Sequence, residues 1–201
     1  MGSIAYALAA GNAVVFKPSE FTPAVGGWLV SSFADVVPEH PVLQLVTGAA
    51  GTGDALARSA VDKISFTGSA ATARKVMAAC ADNLTPLVAE CGGKDAFLVG
   101  ADADLDAAAD AAAWGAVSNA GQTCIGVERV YVVEAVYHTF LQKLAERMSG
   151  ARPGDDRESA YGPMTHPAQI DVVEDHVADA LARGGRAVIG GMQSIRRPYV
   201  D

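Results

Sequence analysis

The chain has 201 residues, of which half are hydrophobic and 19% are charged, a composition typical of a globular protein and not of a disordered one. Its formal net charge of −8 argues against nucleic acid or an anionic membrane as a main partner. Three unevenly spaced cysteines do not form a disulfide framework, and no apolar run approaches the roughly 20 residues of a membrane-spanning helix. These features predict a cytoplasmic protein with no nucleic-acid or membrane partner.

Short apolar runs alternate with longer helical patterns along the chain, which is typical of an α/β protein with parallel strands. The predicted strands lie at 12–16, 41–48, 61–69, 85–93, 95–100, 127–134 and 186–190. The predicted helices lie at 23–34, 70–82, 104–118, 136–150 and 167–183. Thr22 and Ser69 stand where N-caps are expected, with Pro23 at the first helical position after Thr22.

A glycine-rich stretch, GAAGTG at 48–53, follows the second predicted strand. Its order differs from the G-x-G-x-x-G of a dinucleotide-binding turn, and no acidic residue stands about 20 residues further on. Taken alone, the stretch is better interpreted as a simple glycine-rich turn.

Two polar motifs also stand at the ends of predicted strands, where parallel sheets bind ligands. In KPSE (17–20), Lys17 and Glu20 could hydrogen-bond ribose hydroxyls from two sides, although a solvated charged turn explains them equally well. In FTGS (66–69), Ser69 and the amides of the following helix could bind a pyrophosphate, although an ordinary N-cap is the simpler interpretation.

Two further residues are candidates for chemistry. Glu90 follows an apolar run, and carboxylates are rarely buried unless paired or functional, so it suits a general base; a salt bridge to Lys94 or an arginine is the alternative. Cys124 acts as a nucleophile only as an activated thiolate. No histidine lies near it in sequence, so on composition alone Cys124 is best interpreted as a small apolar packing residue.

Taken together and in order, four segments closely resemble the aldehyde dehydrogenase superfamily. They are GNAVVFKPSEFTP, KISFTGS, VAECGGKDAFLV and NAGQTCIGVERVYV, and Cys124 follows Glu90 by 34 residues, a spacing similar to that of the family. The stretch YGPM at 161–164 resembles a later family loop. The resemblance extends over essentially the whole chain.

The resemblance implies an NAD(P)-dependent oxidation of a small-molecule aldehyde to a carboxylic acid, with no metal. Cys124 is then the nucleophile, which forms a thiohemiacetal and then a thioester. Glu90 is the general base for the water that hydrolyses the thioester, and the backbone N–H of Cys124 is one oxyanion donor. The alternatives are a non-catalytic nucleotide-binding remnant and a cysteine-dependent esterase or acyl transferase.

The resemblance also implies a set of cofactor-binding residues, which are Lys17, Ser19, Glu20, Gly53, Gly68, Ser69 and the backbone of Cys91. Lys17 and Glu20 match the family's ribose-binding pair, Gly68 and Ser69 its pyrophosphate contacts, and Gly53 the adenine side. Because the carboxylate of Glu20 repels a 2′-phosphate, we expect NAD to be preferred over NADP.

The implied fold is α/β, with an incomplete doubly wound parallel-sheet cofactor domain at 1–91 and the first part of an α/β catalytic domain at 92–201. Family members are more than twice this long. We therefore expect the chain to be the central portion of a longer, homo-oligomeric member and to be poorly active alone. Ala73 and Cys91 depart from the family's usual glycine and leucine, and Val117, Ile125 and Val127 suggest an apolar wall near the nucleophile.

Overall fold

The computed structural model describes residues 2–200, and the chain divides into two compact units, Met1–Cys91 and Gly92–Asp201. Three pairs of consecutive strands run parallel, each pair joined by at least one helix. This arrangement confirms the predicted α/β class with parallel strands. No helix among residues 2–200 is both long and apolar enough to cross a bilayer.

The first unit contains two of the parallel pairs. Its elements in chain order are α1 (Gly2–Ala9), β1 (Val14–Phe16), α2 (Pro23–Val36), β2 (Leu43–Leu45), α3 (Ala50–Ala57), β3 (Ile64–Gly68), α4 (Ala70–Asn83) and β4 (Leu87–Cys91). β1 pairs with β2, and β3 pairs with β4. α2 and α4 are the crossover helices of these pairs.

The second unit contains the third parallel pair and a short hairpin. Its elements are β5 (Asp95–Val99), α5 (Leu105–Val117), β6 (Val127–Val132), α6 (Tyr137–Ser149), α7 (Ala168–Ala182), β7 (Ile195–Arg196) and β8 (Tyr199–Val200). β5 and β6 are parallel, whereas β7 and β8 are antiparallel. The crossover between β5 and β6 is α5.

All five predicted helices are present, and the capping chemistry explains where two of them begin. The hydroxyl oxygen of Ser69 accepts a hydrogen bond from the Thr72 N–H at 3.1 Å, which confirms Ser69 as the N-cap of α4. Thr22 occupies the N-cap position of α2 but makes no side-chain cap hydrogen bond, so Pro23 alone marks this start.

Two local predictions are wrong, and two helices were not predicted. The glycine-rich stretch is not a simple turn, because α3 begins at Ala50, inside it. Residues 186–190 form no strand; the pairing near the end of the described chain lies instead in the β7–β8 hairpin. The second difference arises because local composition does not reveal which segments find a partner strand. The unpredicted helices are α1 and α3.

The core of the second unit lies between one face of the β5–β6 pair and the helices α5 and α6. Its most buried residues are Val99, Ala109, Ala112 and Phe140. The opposite face of the strand pair is open: Leu98 and Tyr131 stand side by side on it and are 76% and 53% exposed. The strand pair is therefore packed on one side only within this unit.

Ion pairs join α5 to α6 along their exposed sides. The carboxylate of Asp106 accepts hydrogen bonds from Lys143 Nζ at 2.7 Å and from Arg147 at 2.8 Å. The hydrogen bond from Lys143, followed by that from Arg147, lowers the pKa of Asp106 below its ordinary value of 3.8. The ionised carboxylate is thus favoured in the folded chain.

We predict that Asp106→Asn makes the second unit less stable at neutral pH and less sensitive to acid. A carboxyl group whose pKa is lowered by folding stabilises the fold above its unfolded pKa, and this contribution disappears as the pH falls through the lower folded pKa. Urea unfolding followed by circular dichroism, at neutral pH and below about pH 4, measures the effect. Asp175→Asn on α7 is the matched control, because Asp175 forms no ion pair among residues 2–200. Equal losses in the free energy of unfolding in both variants contradict the prediction.

Candidate functional site

The register of β3 and β4 brings two of the predicted motifs together at one edge of the first unit. Thr67 pairs with Glu90, and Gly68 pairs with Cys91. Because the strands are parallel, both end at this edge, and Ser69 follows directly after Gly68. The predicted pyrophosphate contacts therefore lie beside the predicted general base.

Ser69 lies at this edge and is the N-cap residue of α4. Its hydroxyl bonds the Thr72 N–H and also lies 3.0 Å from the Thr72 hydroxyl. The first N–H groups of a helix lack partners within the helix and carry partial positive charge, which is the property that an anion such as a pyrophosphate needs. At Gly68, a Cβ atom would come within 2.6 Å of the Phe66 ring, so the close approach of this ring requires glycine or a shift of the ring.

Lys17 lies at the end of β1 and is held by two backbone carbonyls. Its ammonium donates hydrogen bonds to the Pro18 oxygen at 2.8 Å and to the Gly48 oxygen at 2.9 Å, and it lies 3.7 Å from a Glu20 carboxylate oxygen. The Lys17 side chain is only 17% exposed, whereas that of Glu20 is 50% exposed. An ammonium has three donors, so one remains for a ligand hydroxyl beside the Glu20 carboxylate.

Gly53 and Ser19 lie close to this lysine. A Cβ atom at Gly53 would lie 3.5 Å from Lys17 Cε, which places the first turn of α3 against the lysine stem. The Ser19 hydroxyl accepts a hydrogen bond from the Phe21 N–H at 3.3 Å, so it helps to form the turn after β1. Of the seven predicted cofactor residues, four thus lie in one neighbourhood around β1 and α3: Lys17, Ser19, Glu20 and Gly53.

Glu90 is exposed, contrary to the buried position expected from the apolar run before it. Within its own unit, and among the residues described, it makes no ion pair. The physical reason is that β4 pairs only with β3, so much of the strand is open; Val88 on β4 is itself 38% exposed. The predicted general base therefore faces solvent in this unit.

Cys124 is also exposed, which is inconsistent with its interpretation as a packing residue. Of the other two cysteines, Cys80 is buried and Cys91 is half-buried. Ile125, beside the predicted nucleophile, is 77% exposed, so the apolar wall expected there is open on this side. Among residues 2–200, no cluster of histidine, cysteine and carboxylate side chains could hold a metal ion.

The turn that leads to Cys124 has an unusual backbone. After α5 ends at Val117, three successive residues adopt left-handed conformations: Asn119 (φ 55°), Ala120 (φ 58°) and Gly121 (φ 70°). This conformation costs about 1–2 kcal/mol for each non-glycine residue. Residues kept in such conformations are concentrated at active sites and ligand clamps, where the surrounding structure must hold them in place.

Gln122 makes the contacts that hold this turn, and the sequence analysis did not single it out. Its side-chain amide donates to the Asn119 carbonyl at 2.9 Å, and the Asn119 amide donates back to the Gln122 carbonyl at 3.0 Å. The Gln122 side-chain oxygen also accepts a hydrogen bond from the Thr165 N–H at 2.8 Å. The sequence gives little sign of these left-handed residues before Cys124. The one signal is that asparagine and glycine adopt positive φ more readily than other residues.

The chain is similar to known proteins over nearly its whole length. The model of the aldehyde dehydrogenase family matches residues 1–200. The chain belongs to this family. Among solved structures, a lactaldehyde dehydrogenase superposes with a TM-score of 0.88 at 36% identity, covering 94% of this chain and 41% of that one. PnpE in complex with nicotinamide adenine dinucleotide gives a TM-score of 0.87 at 37% identity, covering 92% and 39%.

Two relatives are similar to most of this chain. A 4,4'-diapolycopene aldehyde oxidase from a Methylomonas species is 43% identical over 181 residues, which are 90% of this chain and 34% of that protein. A D-glyceraldehyde dehydrogenase (NADP(+)) from Thermoplasma acidophilum is 36% identical over 199 residues, which are 98% of this chain and 40% of that protein. The chain thus spans about two fifths or less of the length of these relatives.

We predict that Gly26→Ala destabilises the first unit by about 1–3 kcal/mol, the usual cost of overpacking. Gly26 is buried in α2, and a Cβ atom there would come within 2.7 Å of the Pro18 ring, next to Lys17. Gly27→Ala is the matched control, because its Cβ atom would meet only Leu45 at 3.9 Å. Urea unfolding should show Gly27→Ala to be neutral or stabilising by up to about 1 kcal/mol. Similar free energies of unfolding for the two variants contradict the predicted overpacking at Gly26.

Proposed function

We propose that this chain carries the cofactor-binding and thiol chemistry of an NAD(P)-dependent aldehyde dehydrogenase, which oxidises a small-molecule aldehyde to a carboxylic acid. The observation that carries the proposal is the exposed Cys124 at the end of a left-handed turn, in a member of this family. Residues 1–91 are then the cofactor-binding part and residues 92–201 the catalytic part. We also propose a cytoplasmic location, because three free cysteines are typical of a reducing compartment.

In the proposed reaction, the Cys124 thiolate attacks the aldehyde carbon. A C–S bond forms, and the carbonyl oxygen takes the electron pair of its π bond and becomes an oxyanion, which the backbone N–H of Cys124 stabilises by a hydrogen bond. A nicotinamide cofactor held by the proposed residues would supply the hydride acceptor needed for the Cys124 adduct to become a thioester. Glu90 then takes a proton from water, the resulting hydroxide adds to the thioester, and the C–S bond breaks to release the acid and the thiolate.

The residues around β1 and α4 fit the cofactor in charge and shape. Lys17 has one free donor beside the carboxylate of Glu20, a combination that suits the two hydroxyls of a ribose. Ser69 and the N-terminus of α4 suit the pyrophosphate. The remaining members of the proposed set are Ser19, Gly53, Gly68 and the backbone of Cys91.

The decisive experiment is a single turnover of the purified chain with NAD and a simple aldehyde, followed by NADH absorbance. We expect Cys124→Ala to abolish NADH formation, whereas Cys80→Ala, a cysteine control on α4 outside the proposed site, retains it. Glu90→Gln should still form NADH in the first turnover but should slow the release of the acid by about 10²–10⁴-fold, the usual contribution of a general base.

Other results would point to other functions. NADH formed by Cys124→Ala would show that this cysteine is not the nucleophile. Hydrolysis of a p-nitrophenyl ester without any NADH formation would favour a cysteine-dependent esterase or acyl transferase, which the exposure of Cys124 also permits. No binding of NAD or NADP in calorimetry would leave a non-catalytic remnant of the family.

We predict that the chain binds NAD more tightly than NADP, and that Glu20→Gln narrows the difference by about tenfold. The half-exposed Glu20 carboxylate repels a 2′-phosphate, and like charges placed together disfavour binding. Calorimetry with both nucleotides measures the two dissociation constants. Glu39→Gln is the control, because it removes an exposed carboxylate that forms no ion pair within the described part of the chain. Equal affinities for NAD and NADP in the unsubstituted chain would contradict this use of Glu20.

A further inference from the structure

We infer that Gln122 is a positioning residue for Cys124: its side chain holds the left-handed turn at 119–121 and ties it to the segment around Thr165, which fixes where the thiol stands. The inference rests on the proposed function in taking Cys124 as the nucleophile. It concerns a contact that neither the motif nor the family resemblance had singled out.

The left-handed residues 119–121 need contacts that offset the cost of their conformation. Asn119 and Ala120 are non-glycine residues at positive φ, and Ala120 has no side-chain group that could compensate. The compensating contacts come from Gln122. The Asn119 carbonyl accepts hydrogen bonds from both the Gln122 backbone N–H at 3.2 Å and the Gln122 side-chain amide at 2.9 Å.

Gln122 also connects the turn to an anchored part of the chain. Its side-chain oxygen accepts the Thr165 N–H from 43 residues away. The neighbouring Met164 is buried, 7% exposed, and its N–H donates to the Pro198 carbonyl at 3.0 Å. The Gln122 side-chain amide thus accepts a hydrogen bond from a fixed segment and donates one to the strained turn.

Little conformational freedom remains between Gln122 and the Cys124 thiol. Only Thr123 separates Gln122 from Cys124, and the Gly126 N–H donates to the Thr123 carbonyl at 3.2 Å, closing a second turn around the cysteine. Gly126 is buried and leads directly into β6. Cys124 is therefore held by the Gln122 contacts on one side and by β6 on the other.

The test compares acylation of Cys124, which needs a directed thiol, with alkylation, which needs only an exposed one. In Gln122→Met, which keeps the length of the side chain but loses both hydrogen bonds, the rate constant of the p-nitrophenyl ester acylation burst should fall by about 10–10²-fold. Alkylation of Cys124 by iodoacetamide, followed by peptide mapping, should change by less than about threefold, because it depends on thiolate fraction and access. Gln142→Met on α6, where the exposed glutamine bonds only Glu146, is the matched control.

Two further measurements separate positioning from a general loss of structure. Hydrogen exchange at the Thr165 N–H should become faster in Gln122→Met, while the amides of α5 and α6 keep their protection. Adding Ala120→Gly to Gln122→Met should recover part of the acylation rate, because glycine adopts positive φ without steric cost.

The inference is overturned if Gln122→Met acylates at the rate of the Gln142→Met control, if acylation and alkylation fall together, if α5 and α6 lose protection, or if Ala120→Gly gives no recovery. If the unsubstituted chain shows no acylation burst, the proposed function fails. The hydrogen-exchange rates at Thr165 and across residues 118–126 then test the positioning role of Gln122 without any activity. Faster exchange in Gln122→Met supports that role, and unchanged exchange refutes it.

Discussion

Two neighbouring strands that run parallel must be joined by a crossover, and helices supply it three times in this chain, between β1 and β2, β3 and β4, and β5 and β6. The consequence is that both strands of a pair end at the same edge, so residues far apart in sequence meet there. Gly68 and Cys91 are brought side by side in this way, as are Thr67 and Glu90. In the second unit, α5 both crosses over β5 and β6 and ends in the turn that carries Cys124.

The sequence was sufficient where a local signal and a local structure coincide. Ser69 predicts the start of α4 because a hydroxyl before an alanine-rich helical pattern can bond the amide three residues on, and it does so. The parallel α/β class followed from short apolar runs separated by helix-length segments. The motifs around Lys17 and Ser69 were located at strand ends for the same reason, and the structure has β1 and β3 ending there.

The sequence was insufficient where the outcome depends on a distant partner. The apolar residues after Gly185 predict a strand, but in the described chain no other segment pairs with them. Glu90 follows an apolar run that suggests burial, yet β4 has a neighbour on one edge only and Glu90 is exposed. The contact of Gln122 with Thr165 spans 43 residues, and no periodicity or motif in one sequence encodes such a contact.

The open face of β5 and β6 also has a consequence for the behaviour of the chain in solution. Leu98 and Tyr131 present apolar surface to water there, while the net charge of −8 keeps two chains apart. That repulsion reaches about 10 Å at 0.1 M salt and only about 3 Å at 1 M. Added salt therefore shortens the range of the charge repulsion but leaves the apolar surface exposed, so contact between two such faces is opposed less at high ionic strength than at low.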